Sequence, residues 1–385
     1  MAHLRQDHAA TATGHCRLSD QSPRLPDGKD EVLVQSQQPE QPMIPLSRVL
    51  IDDIKPFFFF SNYGLTLFLI PGNTFENFAD EVGLLRELTY RQKLSGSGNN
   101  KDLDGRDPYY DHFVLVDDTT FALAGTARLQ FVPTLRPGQE APSTPSTHSS
   151  STSYLEHVYP GIKNCLMARG SHLEIGRVAI SPAFQRQPAS LMTLFRGGLQ
   201  AAIAAGYTAV YGLVSYNHFQ YPGSVNDFFL RSLMLPPFRS PVAELPPARY
   251  PRAFRGDEQH ADGACQTIQQ LEAEAQKQLA SFRLPVLLRQ YINLMGARTH
   301  DISIAKDFNQ ITEILMTADL TKVPHRRLQH FVGFPHAPVY RKFPWFRGED
   351  EDEVAKNTSN LTGPSPQERD DKLREQTLTA QSRPK

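Results

Sequence analysis

The spacing of apolar positions changes several times along the chain, and each change marks an element. Over "TFENFADEVGLLRELTYRQK" Phe78, Val82, Leu85 and Leu88 recur at helical spacing behind a Thr74 cap, which predicts a helix. "DHFVLVDD" (111–118) and "FALAGTARLQFVP" (121–133) are strand-like runs joined by an Asp/Thr turn, an antiparallel hairpin. "HLEIGRVAISP" (172–182) is a third strand. "PASLMTLFRGGLQAAIAAG" (188–206) is a helix with Pro at its start and Gly at its end, and "YTAVYGLVSY" (207–216) is a further strand. Beyond these, "NDFFLRSLMLPPF", residues 263–282 and "LPVLLRQYINLMGARTHD" read as helices, the last with Leu287, Leu288, Tyr291 and Leu294 inward, and "ITEILMTADL" (311–320) as the final strand. Helix, hairpin, strand, helix, strand predicts an α/β fold in which helices flank a mixed, partly antiparallel sheet.

Polar segments frame this pattern. Residues 1–45 are Gln/Pro/Asp-rich and are expected to be disordered, as is the charged tail 346–385 that opens "GEDEDE". "TLRPGQEAPSTPSTHSSSTS" (134–153) is a Ser/Thr/Pro-rich insertion inside one domain spanning 46–345. The most apolar stretch, "PFFFFSNYGLTLFLIPG" (56–72), is broken by Ser61, Asn62 and Gly64 and is shorter than the roughly 20 residues a spanning helix needs, so it reads as core. The N-terminus has no signal-peptide core, and Cys16, Cys165 and Cys265 stand far apart without histidines at metal-ligand spacing. These features predict a cytoplasmic protein with neither disulfides nor a metal. With 40 basic and 41 acidic residues there is no global basic field, and no nucleic-acid partner is expected.

Two charges disturb the third strand. Glu174 and Arg177 lie three residues apart in an apolar run, and period-two alternation puts them on opposite faces unless a bulge intervenes, for which Gly176 is the natural place. Either both serve one site on an irregular strand, or each is half of a buried ion pair, Glu174 with Arg86 or Arg128 and Arg177 with Asp104 or Asp107.

Taken in order, "LLRELTYRQ", "DLDGRDPYYDHFVLVDD", "LAGTARLQF", "LEIGRVAISPAFQ" and "FRLPVLLRQYINLMGARTHDISIAKDFNQITEILMTADL" resemble the blocks of bacterial ornithine-lipid and glycine-lipid N-acyltransferases. These are GNAT-superfamily enzymes, sometimes labelled hemolysins, and are related to the acyl-homoserine-lactone synthases. The resemblance covers roughly residues 75–322 without the insertion, and implies a GNAT-like fold and transfer of a long-chain acyl group, plain or 3-hydroxylated, from a thioester to the amine of a small amino acid. No bound cofactor is implied; acyl-carrier-protein or acyl-CoA enters as co-substrate.

Such a reaction needs a proton acceptor for the amine and donors for the oxyanion. The resemblance assigns the base to Glu174, directly or through a water, and places Arg177 in the catalytic strand; a bulge at Gly176 would free a backbone N–H near Val178 to point at the thioester oxygen. Asp104 and Asp107 match the family's acidic pair, able to bind the substrate ammonium or to fix their loop through Arg86 and Arg128. Arg128 is as well suited to substrate as to structure, and Tyr211 and Tyr216 are candidate acids for the leaving thiol or simply core aromatics. The segment "FQRQPASL" departs from the Gly-containing loop with which acetyl-CoA enzymes cradle a pyrophosphate at a helix N-terminus, and Pro188 removes a further N–H. This favours a carrier-protein donor, with Arg186 and Arg196 facing its acidic surface. Aromatic and basic residues in 330–348 suit a membrane interface or docking onto the domain. Two alternatives stand beside this reading: a homoserine-lactone-type synthase, and a GNAT-like module that binds without turnover.

Overall fold

The computed structural model describes residues 42–133, 153–241, 245–254 and 265–332. The N-terminal segment up to residue 41, the insertion up to residue 152 and the charged tail lie outside them. A short helix, α1 (Arg48–Ile54), capped by the Ser47 side chain, leads into β1 (Phe58–Asn62) and β2 (Leu65–Ile70). The Phe-rich stretch is thus a hairpin, closed where Tyr63 and Gly64 take positive φ angles of 53° and 71°. A 3₁₀ segment (Gly72–Phe78) then feeds α2 (Ala79–Gln92). The predicted cap does not form, because the Thr74 hydroxyl donates to the Pro71 carbonyl inside that segment.

The hairpin β3 (Asp111–Asp117) and β4 (Leu123–Val132) falls where the alternation places it. After α3 (Tyr154–Val158) and α4 (Ile162–Met167) come β5 (His172–Ile180), α5 (Pro188–Ala204) and β6 (Ala209–Tyr216). Pro188 opens α5 at its first turn, and Gly206 follows it with φ of 77°, as the Pro and Gly positions predict. The remainder is α6 (Gly223–Leu233), α7 (Ile268–Gln278), α8 (Val286–Met295), β7 (Arg298–Ile304), β8 (Thr312–Asp319) and α9 (His325–Val332). The helix expected across residues 284–301 stops at Met295, where left-handed Gly296 ends it, and the polar run after it forms the strand β7.

Among the described residues the strands make one eight-stranded sheet in the order β1-β2-β3-β4-β5-β6-β8-β7, antiparallel except for β5 and β6. This is the mixed α/β GNAT-like fold, with the β5–α5–β6 crossover as its parallel unit. One face is buried against α5 and the helices that follow β6, through Leu194, Leu199, Val214, Phe229, Leu288 and Met316. The other face carries two separate clusters, one under α1 and α2 and one under α3 and α4.

Candidate active site

The sheet opens at its parallel pair. β5 and β6 run side by side only from His172–Ala209 to Ile175–Gly212. Beyond that point β5 stays with β4 as far as Ile180, while β6 stays with β8 as far as Tyr216. Gly212 sits at the fork, where an added Cβ would come 2.7 Å from the Ile175 carbonyl oxygen. The register of β5 against β4 slips between Gly176 and Ala179, so that two residues, Arg177 and Val178, face the single Ala127. The expected bulge is therefore present, but its left-handed residue is Arg177 (φ 50°) and not Gly176. A non-glycine residue there costs about 1–2 kcal/mol, which the ion pairs of its side chain oppose.

The bulge turns Arg177 toward the face that carries Glu174. Its Nε lies 3.1 Å from Asp102 and an Nη lies 3.5 Å from Asp104. Arg128 on β4, fully buried, bridges Asp104 at 3.0 Å and Asp107 at 3.2 Å, and Arg86 on α2 reaches Asp107 at 2.8 Å. Asp107 also accepts the Asp104 N–H, so the acidic loop is clamped between α2 and β4. His112 completes the clamp: it stacks on Phe75, its Nε2 donates to the Asp107 carbonyl, and its Nδ1 accepts from Arg86. Burial, and next to it the Arg86 charge, pull its pKa down to about 3. Burial would raise the pKa of Asp107, but the Arg86 and Arg128 charges outweigh it and hold the carboxyl well below the usual range. Asp107 is thus fully engaged by the protein. Asp104, with a fifth of its side chain exposed, is the acid of this pair open to a ligand. Asp102, whose sequence position gave no hint beyond its loop, joins the cluster through Arg177.

Glu174 forms no ion pair with Arg86, Arg128 or any other arginine among the described residues. Its Oε1 accepts from the Tyr110 hydroxyl at 2.5 Å and the Leu155 N–H at 3.1 Å, and its Oε2 accepts from the Ser153 hydroxyl at 2.6 Å. Ser153 is also the N-cap of α3, so Glu174 fastens the start of that helix to β5. The next residue, Tyr154, donates its N–H to the Tyr110 hydroxyl and lays its ring beside Arg177, Arg128 and Arg106. Its own hydroxyl donates to Oε1 of Glu313 on β8 at 3.0 Å. Glu313 is 3% exposed, its Oε2 has no hydrogen-bond partner among the described residues, and burial raises its pKa to about 7 against the lowering effects of Tyr154 and Arg177. Sequence reasoning passed over Glu313, although a lone acid in "ITEILM" is the same signal as the one in "HLEIGRV".

The other predicted residues fall elsewhere. Val178 lines a small, narrow apolar cavity under the fork with Phe113, Ala127, Ile175, Leu194 and Tyr291, open to solvent at its mouth. A second apolar hollow, lined by Gly212, Val214 and Met316 among others, shares Ile175, Val210, Tyr291 and Met295 with it. Tyr216 points to that same α5 face, away from Glu174, and donates its hydroxyl to Asn226 at 2.6 Å; burial raises its pKa. Tyr211 packs in the cluster beneath α3 and α4. Arg186 is exposed in the turn before α5, and Arg196 lies over the Phe60 ring. Among the described residues no group of His, Cys, Asp and Glu is arranged to hold a metal ion, and no helix is long and apolar enough to cross a membrane.

Residues 85–195 match the family model of the acetyltransferase (GNAT) domain, a stretch running from α2 into α5 that holds the clamp, the bulge and Glu174. No curated protein matches the sequence significantly. Similar solved structures include FeeM, an N-acyl amino acid synthase from uncultured soil microbes (9% identity, TM-score 0.34, covering 70% of this chain and 94% of that one). Others are the loading GNATL domain of CurA from Lyngbya majuscula (13%, 0.32, 67% and 98%) and BjaI, a CoA-dependent acyl-homoserine lactone synthase (12%, 0.32, 71% and 92%). Likenesses at this level identify no substrate.

Proposed function

Starting from an enzyme of the GNAT N-acyltransferase type, we propose that it moves a long-chain acyl group from a carrier-protein or CoA thioester to the amine of a small amino acid. The observation that carries this reading is the fork between β5 and β6, with an apolar cavity on one side and an ionic cluster on the other. A thioester in the fork directs its acyl chain toward Ile175, Val178 and Tyr291, whose apolar side chains must part to admit it, and burial of each methylene there contributes about 0.8 kcal/mol. Its carbonyl oxygen then meets the bulged backbone at Val178, whose N–H is the candidate oxyanion donor.

The acceptor comes from the opposite side. Arg177 and Arg106 suit its carboxylate, and Asp104 suits its ammonium group. Arg86, Arg128 and Asp107 hold the loop that presents these groups, and Glu174 holds α3. The glycine-free turn before α5, with Arg186 exposed in it, favours a carrier protein over CoA as donor. The products are a free thiol and an N-acyl amino acid, with an ornithine- or glycine-like acceptor as the first choice.

The test is thiol release by the purified protein from long-chain acyl-carrier-protein and acyl-CoA, with and without a panel of amino acids. Amine-dependent release supports the proposal. Release that is independent of amine describes a thioesterase, and no release from either donor describes a binding module; both outcomes overturn it.

A further inference from the structure

Glu174, the acid at which the sequence points, has both oxygens occupied by three donors of the protein itself. A carboxylate held in this way is a poor acceptor for a substrate proton, because the proton would have to displace a short hydrogen bond. Another acid on the same face lacks this obstacle. Glu313 and Leu315 alternate on β8, and Leu315 packs in the cluster beneath α3 that also holds Tyr211, the register partner of Glu174. Glu313 stands opposite Ser215 on β6, the strand that forms the far wall of the fork.

We infer that Glu313 is the general base that takes the proton from the acceptor amine, with Tyr154 as its positioning residue. The inference rests on the acyltransfer reading above and assigns the proton within it. The acceptor's ammonium group first loses one proton to solvent; as the free amine nitrogen attacks, the C–N bond forms and one N–H proton passes to Oε2 of Glu313, the oxygen without a partner among the described residues. The C–S bond then breaks, and the proton goes on to the departing thiolate, directly or through water. Tyr154 holds the other oxygen, and it bridges the fork from β5, where its helix is fastened by Glu174, to β8.

Among the described residues, titratable and charged groups face Glu313 from several elements. Tyr154 and Tyr159 face it from α3 and its C-terminal end, Arg177 from β5, and Asp307 from the loop before β8, while Ser215 and Ser303 flank it in register on β6 and β7. Asp301 lies beside Tyr159. Arg177 favours the charged carboxylate, Asp307 opposes it, and burial outweighs both, which leaves the group able to change charge near neutral pH.

The experiment measures the pH dependence of thiol release for wild type, Glu313→Gln and Glu174→Gln, together with the infrared band of a protonated carboxylic acid in the protein alone. The expected result is a wild-type kcat/KM that rises with pH around 7, an E313Q variant slower by about 100-fold or more with that rise abolished, and an E174Q variant that keeps the rise. The infrared band should fade through the same pH range in wild type and be absent in E313Q. An E313Q enzyme with the wild-type pH profile overturns the inference, as does loss of the rise in E174Q alone. A wild type that releases no thiol from any donor overturns the acyltransfer reading itself.

Discussion

The Tyr154 hydroxyl donates to Glu313 across the mouth of the fork, and the N–H of the same tyrosine donates to the Tyr110 hydroxyl that holds Glu174. One residue thus ties the strand before the fork to the strand beyond it. The two carboxylates at its ends differ in kind, since one is saturated by donors and the other keeps a buried oxygen without a hydrogen-bond partner among the described residues.

Tyr154→Phe removes the hydrogen bond that lowers the pKa of Glu313. The midpoint of the pH–rate profile should therefore move above 7, with activity most reduced at pH 6–7 and recovering at alkaline pH. A loss that is uniform across pH would show that the hydroxyl serves only packing.

Glu313 also makes stability depend on pH with an unusual sign. Its folded pKa, about 7, lies above the ordinary value of 4.5, so the folded state binds more protons between the two. Its contribution is fully present below pH 4.5 and is lost as pH rises through about 7. Relative to wild type, Glu313→Gln should gain stability between pH 5 and pH 8 by an amount on the order of 2–3 kcal/mol, at 1.36 kcal/mol per unit. Urea denaturation of both proteins at the two pH values checks this.

Asp107→Asn leaves Arg86 and Arg128 buried without their shared counter-ion. Removing one member of a buried ion pair costs about 3–5 kcal/mol, so the thermal midpoint should fall by roughly 5–9 °C. The same change at Asp104, which is partly exposed, should cost less stability and should instead raise KM for the acceptor.

Gly212→Ala places a methyl group 2.7 Å from the Ile175 carbonyl oxygen, where backbone and not a flexible side chain must give way. The fork should be displaced, with KM for the acyl thioester rising more than KM for the amine. Steady-state kinetics with each substrate varied in turn separate these.

The parts legible in the sequence were those with long regular spacing. α5 with its Pro and Gly punctuation and the β3–β4 hairpin follow from local signals alone. β7 was hidden because "RTHDISI" carries too few apolar residues to show alternation, and its strand is made by pairing with β8. The parity of Glu174 and Arg177 called for a bulge if both serve one site, with Gly176 as its natural place, whereas the left-handed residue is its neighbour Arg177, whose side chain pairs with Asp102 and Asp104. Glu313 carried a local signal as clear as that of Glu174. What gives it meaning is Tyr154, 159 residues away, and no spacing along the chain connects them.

Mass spectrometry of total lipids from bacteria expressing the wild type or Glu313→Gln tests the central claim most directly. A new N-acyl amino-acid species that appears with wild type and falls sharply with E313Q is the predicted result, and its fragments name the acceptor. The absence of any new N-acylated species, with folded protein present and candidate amino acids supplied, would contradict the account.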